Sequence, residues 1–198
     1  ESILVDLASL VGLWNESVVH GPAWRFGEVG RRLERSFGVI DGVRGAFGLH
    51  DEDLRPEFAT SGADAIGPYV DHRLDFQRQR VVEIVLASNE SLVAYRRRHR
   101  SDVEFETAIH LIVADTHNPR AAAAALREVR HQADRLGWQV GVDTASELLE
   151  RLSVASFGSV ESTVATLGVV FAGCDRLSRD VVGSYLAAPV DPRLMGRG

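Results

Sequence analysis

The sequence predicts an all-α protein, an irregular multi-helix bundle with long helices and no sheet. Apolar residues recur at spacings of three and four along most of the chain, which places them on one face of each helix. The alternating apolar and polar pattern of strands is missing, and glycine, proline and capping residues separate the periodic segments. With 198 residues, the chain is long enough to bury a core as one domain without disulfides or metals.

Two helices are predicted at the amino-terminal end. The first spans about residues 3–19 and ends before Gly21-Pro22, because proline is common in the first turn of a helix and rare later. The second runs from about Pro22 to Leu49. Its apolar residues repeat at intervals of seven and form a single stripe. This stripe consists of Phe26, Leu33, Ile40 and Phe47, with Phe37 between them.

The other face of the second helix is lined by glycine at positions Gly38, Gly42 and Gly45. Each glycine lowers helix propensity by about 1 kcal/mol relative to alanine. Repeated glycine on one face therefore predicts that another helix approaches it closely. We expect the second helix to lie in the middle of the fold.

Six further helices are predicted after a connection at about residues 51–71, where glycine and proline are frequent. We predict helices over about Arg73–Ser88 and Ser91–His99. Ser101–Glu104 and Thr144–Glu147 resemble capping boxes, Asn118-Pro119 resembles a helix start, and Gly137 a helix end. The predicted starts open helices that continue to Ala114 and to Gly137, and a last helix covers about Ser159–Leu186. Residues 1–188 are taken as one domain and residues 189–198 as a disordered tail.

Composition excludes several kinds of chemistry. All 22 basic residues are arginine, so neither a Schiff-base lysine nor a phosphate-loop lysine is available. The single cysteine, Cys174, allows no internal disulfide and is expected in the core. The 7 histidines lack the spacing of metal ligands, so we expect no metal and no cofactor. No apolar run has the roughly 18 residues of a membrane span, and the acidic beginning differs from a signal peptide. We expect a cytoplasmic protein.

Arginine is concentrated in two segments although the net charge is -6. The first segment contains Trp24, Arg25, Glu28, Arg31, Arg32, Glu34 and Arg35; the second contains Tyr95, Arg96, Arg97, Arg98 and Arg100. Each can be a solvated, salt-bridged helix surface or a site that binds an anion, since guanidinium groups suit carboxylate and phosphate. Consecutive arginines fan out around a helix, so some of the second segment must face neighbouring elements. Arg44 is a further charge within the apolar stripe.

Three motifs resemble the bacterial Alpha-E domain family. Residues 21–26 and 30–35 read GPAWRF and GRRLER, like the G-x-x-WRF and GRRLER signature of that family. Residues 90–100 resemble its DS-x-x-TYRRRYR segment, with Glu90, Ala94 and His99 as departures. Asn118-Pro119-Arg120 resembles its D-x-x-NPRS segment, which follows a short apolar helix, with Ala121 in place of serine. The chain is expected to lack the family's N-terminal portion.

The resemblance implies an all-helical domain that occurs beside, or fused to, a circularly permuted ATP-grasp enzyme. It therefore implies a peptide-modifying or amide-ligating setting. The first hypothesis is an accessory domain whose two arginine segments bind an acidic peptide, a phosphorylated intermediate or the ATP-grasp partner. The second is an enzyme with Glu34 or Glu28 as general base beside a bound carboxylate or phosphate. The third, nucleic-acid binding, is disfavoured by the net charge.

Overall fold

The computed structural model describes residues 21–53, 69–100 and 102–183, together with the helical residues 3, 5, 6, 9 and 12. The remainder of the predicted first helix, the connection over residues 54–68 and the predicted tail over residues 189–198 lie outside the described residues. Side chains are described for residues 21–47, 78–100 and 102–183, and for the five isolated positions.

The described ranges from residue 21 onward form helices and connections and contain no strand, as predicted. Seven helices have defined bounds. They are α1 (Pro22–Asp53), α2 (Tyr69–Ser88), α3 (Leu92–His99), α4 (Phe105–Val113), α5 (Ala122–Leu136), α6 (Gln139–Val154) and α7 (Val160–Val181).

Helix α1 organises the bundle. It packs most extensively on α5 and α7, α6 packs on both of those helices, and α2, α3 and α4 form a smaller group beside it. The predicted stripe is confirmed, since Leu33, Ile40 and Phe47 are buried. Val29 and Val43 are also fully buried and widen the stripe into a face that fits between two helices.

The predicted close approach at the glycine face is wrong for the described part of the chain. A Cβ atom added to Gly38, Gly42 or Gly45 would meet no described atom within 4 Å. The close helix approach is found instead at Gly173 of α7, where an added Cβ would lie 2.4 Å from Cδ2 of Leu148 on α6. Helix α1 therefore packs on one side, and its glycine face is open among the described residues.

Three predicted helix starts are displaced. Helix α4 begins at Phe105, after an extended segment, and not at the Ser101–Glu104 box. The reason is the buried Tyr95 hydroxyl, which accepts a hydrogen bond from the Glu104 N–H at 3.0 Å and donates to the Asp102 carbonyl at 3.3 Å. These tertiary bonds satisfy backbone groups that a helical turn would otherwise use.

The other two displacements have local causes. Asn118 accepts hydrogen bonds from Arg120 N–H through its side chain and from Ala121 N–H through its carbonyl, so residues 118–121 form a turn. Helix α5 starts only at Ala122. Thr144 lies inside α6, which starts at Gln139, and its buried side chain faces the core.

Several local signals are confirmed. Gly137 has φ of +67°, the left-handed conformation that ends α5, and Trp138 N–H donates to Ala133. The Ser159 hydroxyl accepts from Ser162 N–H at 3.1 Å and caps α7. Cys174 is fully buried, and its burial raises the pKa of the thiol to about 12. Within the described residues, no helix combines the length and apolarity that crossing a bilayer requires.

Candidate anion-binding site

The first arginine cluster is built around one buried carboxylate, that of Glu28 on α1. Glu28 is 4% exposed and accepts hydrogen bonds from Arg32 Nε at 2.6 Å and from Arg31 Nη2. The spacings of three and four residues bring these side chains together on one helical surface. The guanidinium-bearing side chains are 52% and 35% exposed for Arg31 and Arg32. The buried anion therefore holds two cations at the surface of the bundle.

Arg25 has a different partner from the one that its spacing predicts. The sequence places Glu28 between Arg25 and Arg32, yet Arg25 Nη1 donates to Oε1 of Gln132 on α5 at 2.8 Å. The Gln132 amide nitrogen donates in turn to Glu128 at 2.6 Å, which turns its oxygen toward Arg25. Gln132 is buried. No local pattern marks it as a partner, because it lies 107 residues further along the chain.

The remaining members of the first cluster lie along the same helix. Arg35 is exposed and its Nη1 donates to the Pro119 carbonyl at 3.4 Å. Glu34 is exposed, and Trp24 is half-buried near the start of α1. Arg44 is half-buried against α7, where its guanidinium carbon lies 5.2 Å from the centroid of the Phe171 ring. Arg44 is therefore part of the α1–α7 interface through a cation–π contact.

The second arginine segment occupies the last turns of α3 and points in several directions, as predicted. Arg96 pairs with Glu83 of α2 at 3.8 Å, and Arg98 pairs with the buried Asp115. Arg97 and Arg100 are exposed and form no side-chain hydrogen bond or ion pair with the described residues. Tyr95 is fully buried, so it is a structural member of this segment.

The loop over residues 115–120 is the place where both segments are anchored. Arg35 of the first segment reaches Pro119, and Arg98 of the second reaches Asp115. Asn118 fixes the loop by donating to the Leu111 carbonyl at 2.9 Å and to Ser91 at 3.2 Å. Within the described ranges, no hydrogen bond or ion pair joins the two arginine segments directly. They are held near one loop and not around one ligand pocket.

Asp115 is the titratable group of this loop with a shifted pKa. Burial alone acts to raise the pKa of its carboxyl. The His117 N–H bond, the Arg98 hydrogen bond and charge, and the His117 charge together outweigh burial and lower the pKa below 3.8. Asp115 stands three residues before Asn118, at the aspartate position of the D-x-x-NPRS segment that the sequence resembles.

The part of the chain that is described contains no preformed metal-binding cluster. No three histidine, cysteine, aspartate or glutamate side chains come together there as potential metal ligands.

The fold and the clustered guanidinium groups define an all-helical, arginine-rich protein. A family model described as "A predicted alpha-helical domain with a conserved ER motif" matches residues 1–186. The chain belongs to this family, Alpha-E. Glu-Arg dipeptides occur at Glu34-Arg35 on α1 and at Glu150-Arg151 on α6, and both pairs are exposed. No curated protein and no solved structure matches the chain.

Proposed function

We propose that this chain is an accessory helical domain that binds an anionic ligand or an acidic partner surface through arginines of α1. The observation that carries the proposal is the way Arg25 and Arg35 are held. Gln132 and the Pro119 carbonyl, which fix these two guanidinium groups, are uncharged. Among the described residues, neither guanidinium group is paired with a carboxylate, so both charges are available to an anion.

The buried Glu28, with its two partners Arg31 and Arg32, supports the same function. Glu28 bears a single negative charge and is shared by Arg31 and Arg32, so this group keeps a positive excess. Each guanidinium has five N–H donors, and Glu28 uses few of them. The unused donors suit the two oxygens of a carboxylate or the oxygens of a phosphate. On α3, the exposed Arg97 and Arg100 extend the supply of donors.

In this proposal the domain works in the cytoplasm with a circularly permuted ATP-grasp enzyme or domain. The ATP-grasp setting comes from the family resemblance, and the ligand classes are an acidic peptide, a phosphorylated intermediate or the partner's own acidic surface. Amide ligation by such enzymes passes through carboxylates and acyl phosphates, and both groups fit guanidinium donors. Nucleic acid fits less well, because the 28 acidic residues outnumber the 22 arginines.

The alternative is an enzyme with Glu28 or Glu34 as general base. Both oxygens of Glu28 accept hydrogen bonds from guanidinium groups, so this carboxylate is occupied as a structural anchor. Glu34 is exposed and lines none of the described clefts. The described geometry therefore favours binding over catalysis for these two carboxylates.

The proposal is tested by isothermal titration calorimetry with a glutamate-rich peptide. We expect binding that weakens with added salt and that falls about tenfold in Arg35→Gln, since one charge is lost while a donor for Pro119 remains. Arg151→Gln is the matched control, because it removes an exposed arginine from α6 far from this cluster in sequence. An absence of binding, or an equal loss in both variants, would contradict the proposal.

A further inference from the structure

A cleft lies between α3, α4 and the loop over residues 115–117, and no residue of α1 lines it. Its volume is about 560 Å³, which is within the size range of small-molecule sites. The charged and titratable groups that line it are Arg98, His99, Glu106, His110, Asp115 and His117. Thr107 and Thr116 each add a hydroxyl group. Three of the chain's 7 histidines thus surround one cleft.

Each basic group of the cleft lies beside a buried residue. The His99 ring lies 4.7 Å from the ring of Tyr95, and the His110 ring lies 6.5 Å from that of Phe157. Tyr95 and Phe157 are 0% and 1% exposed, so both supports are fixed in the core.

Asp115 contacts the other two basic groups, Arg98 and His117. It is 7% exposed, pairs with Arg98, and has Oδ1 at 3.5 Å from Nδ1 of His117. The same oxygen accepts the His117 N–H at 2.8 Å, which fixes the backbone from which the imidazole projects. The Asp115 carboxylate therefore serves to position Arg98 and His117.

We infer that this cleft binds a small tetrahedral oxyanion, such as a phosphoryl group, when its histidines are protonated. Imidazole rings from α3, α4 and the loop line the cleft, together with one guanidinium group and the hydroxyl groups of Thr107 and Thr116, so the donors come from three different elements. A planar carboxylate offers two oxygens in one plane, whereas a phosphoryl group offers oxygens in several directions. The distribution of donors therefore favours the tetrahedral anion.

Charge makes this binding dependent on pH. With the histidines neutral, the carboxylates of Glu106 and Asp115 outnumber Arg98 as the charged groups of the cleft. With the histidines protonated, the cations outnumber the two carboxylates. Histidine is the side chain that makes this change near physiological pH. Anion binding must then take up protons, because the bound anion stabilises the imidazolium forms.

The probe is inorganic sulfate, a tetrahedral anion whose own charge is constant over the pH range concerned. Calorimetric titrations of the whole chain are made at about pH 5.5 and about pH 8, the range over which histidine side chains in general change charge. We expect at least about tenfold tighter binding at the lower pH. Titrations at an intermediate pH in two buffers of different ionisation enthalpy measure the protons taken up.

His110→Gln removes one imidazolium and keeps a polar side chain on the exposed surface of α4. We expect it to weaken sulfate binding at low pH and to reduce the proton uptake. His131→Gln, on the exposed surface of α5, is the matched control and leaves both quantities unchanged. Circular dichroism shows whether each variant keeps its helices.

Four outcomes would overturn the inference: no sulfate binding at low pH, binding that is independent of pH, binding without proton uptake, or equal effects of the two substitutions. The α1 cluster takes no part in the cleft, and the peptide titration of Arg35→Gln uses a different probe and a different residue. The two proposals can therefore fail separately.

Discussion

Arg32 Nε donates to Oε1 of Glu28 across 2.6 Å, one helical turn away on α1. The carboxylate is buried while the arginine side chain is 35% exposed. This pairing joins the core of the bundle to its charged surface, because the same carboxylate also binds Arg31. The arrangement makes Glu28 the structural centre of the GRRLER region.

Removal of the Glu28 charge is expected to destabilise the protein. Glu28→Gln leaves two neighbouring guanidinium groups without their shared anion, which should lower the free energy of unfolding by about 2 kcal/mol. The partial exposure of both arginines keeps the loss below that of a fully buried pair. Urea denaturation measures the change. Glu34→Gln is the control on the same helix and should change stability by less than about 0.5 kcal/mol. Equal effects of the two substitutions would contradict the assigned role of Glu28.

Tyr95→Phe tests the tertiary contact that delays the start of α4. The fully buried ring stays in place, but the Glu104 N–H and the Asp102 carbonyl lose the hydroxyl that they share. We expect a loss of about 1–2 kcal/mol in the free energy of unfolding and faster hydrogen exchange at the Glu104 amide. An unchanged exchange rate at Glu104 would show that the hydroxyl does not hold this segment.

Two glycine-to-alanine substitutions are expected to change the free energy of unfolding in opposite directions. Gly38→Ala meets no described atom and should stabilise α1 by about 0.5–1 kcal/mol through helix propensity. Gly173→Ala places a Cβ atom 2.4 Å from Cδ2 of the buried Leu148 and should cost about 1–3 kcal/mol. Thermal and urea unfolding of both variants test the assignment. A destabilising Gly38→Ala would mean that another part of the protein covers this glycine.

The lowered pKa of Asp115 predicts that the folded state loses stability in acid. Since the folded-state pKa is below 3.8, the native state favours the ionised form. The resulting stabilisation is present at pH values above 3.8 and is lost as the pH falls through the folded-state pKa.

Asp115→Asn should therefore be less stable than the parent protein at neutral pH, and the two should converge as the pH falls below the folded-state pKa of Asp115. The asparagine oxygen can still accept the His117 N–H, so the loop geometry is preserved. Asp143→Asn, on the exposed surface of α6, is the control. A constant stability difference from neutral pH to acid would contradict the charge-based explanation.

Residue spacing was sufficient where the interaction stays within a helical turn. The spacing of Glu28 and Arg32 indicated a salt bridge, and Gly137 and Ser159 marked the correct end of α5 and start of α7. In contrast, Thr144 matched a capping pattern but lies inside α6. A capping pattern specifies a helix start only when no preceding residue already continues the helix.

The contacts that shape the candidate sites could not be read from spacing. Arg25 and Gln132 are 107 residues apart, and Arg35 and Pro119 are 84 apart. Arg98 meets Asp115, which lies 17 residues further along the chain. The seven histidines likewise showed no ligand spacing, although three of them share a cleft. These relationships depend on how whole helices lie against one another.

The sequence by itself determined the helical class, the apolar face of α1 and the buried cysteine, because helical periodicity and local capping act over a few residues. The tertiary structure alone decided which arginines are anchored, which face of α1 is covered and where the histidines meet. The physical reason is that each of these depends on helix packing, and packing is a sum over many side chains distant in the chain.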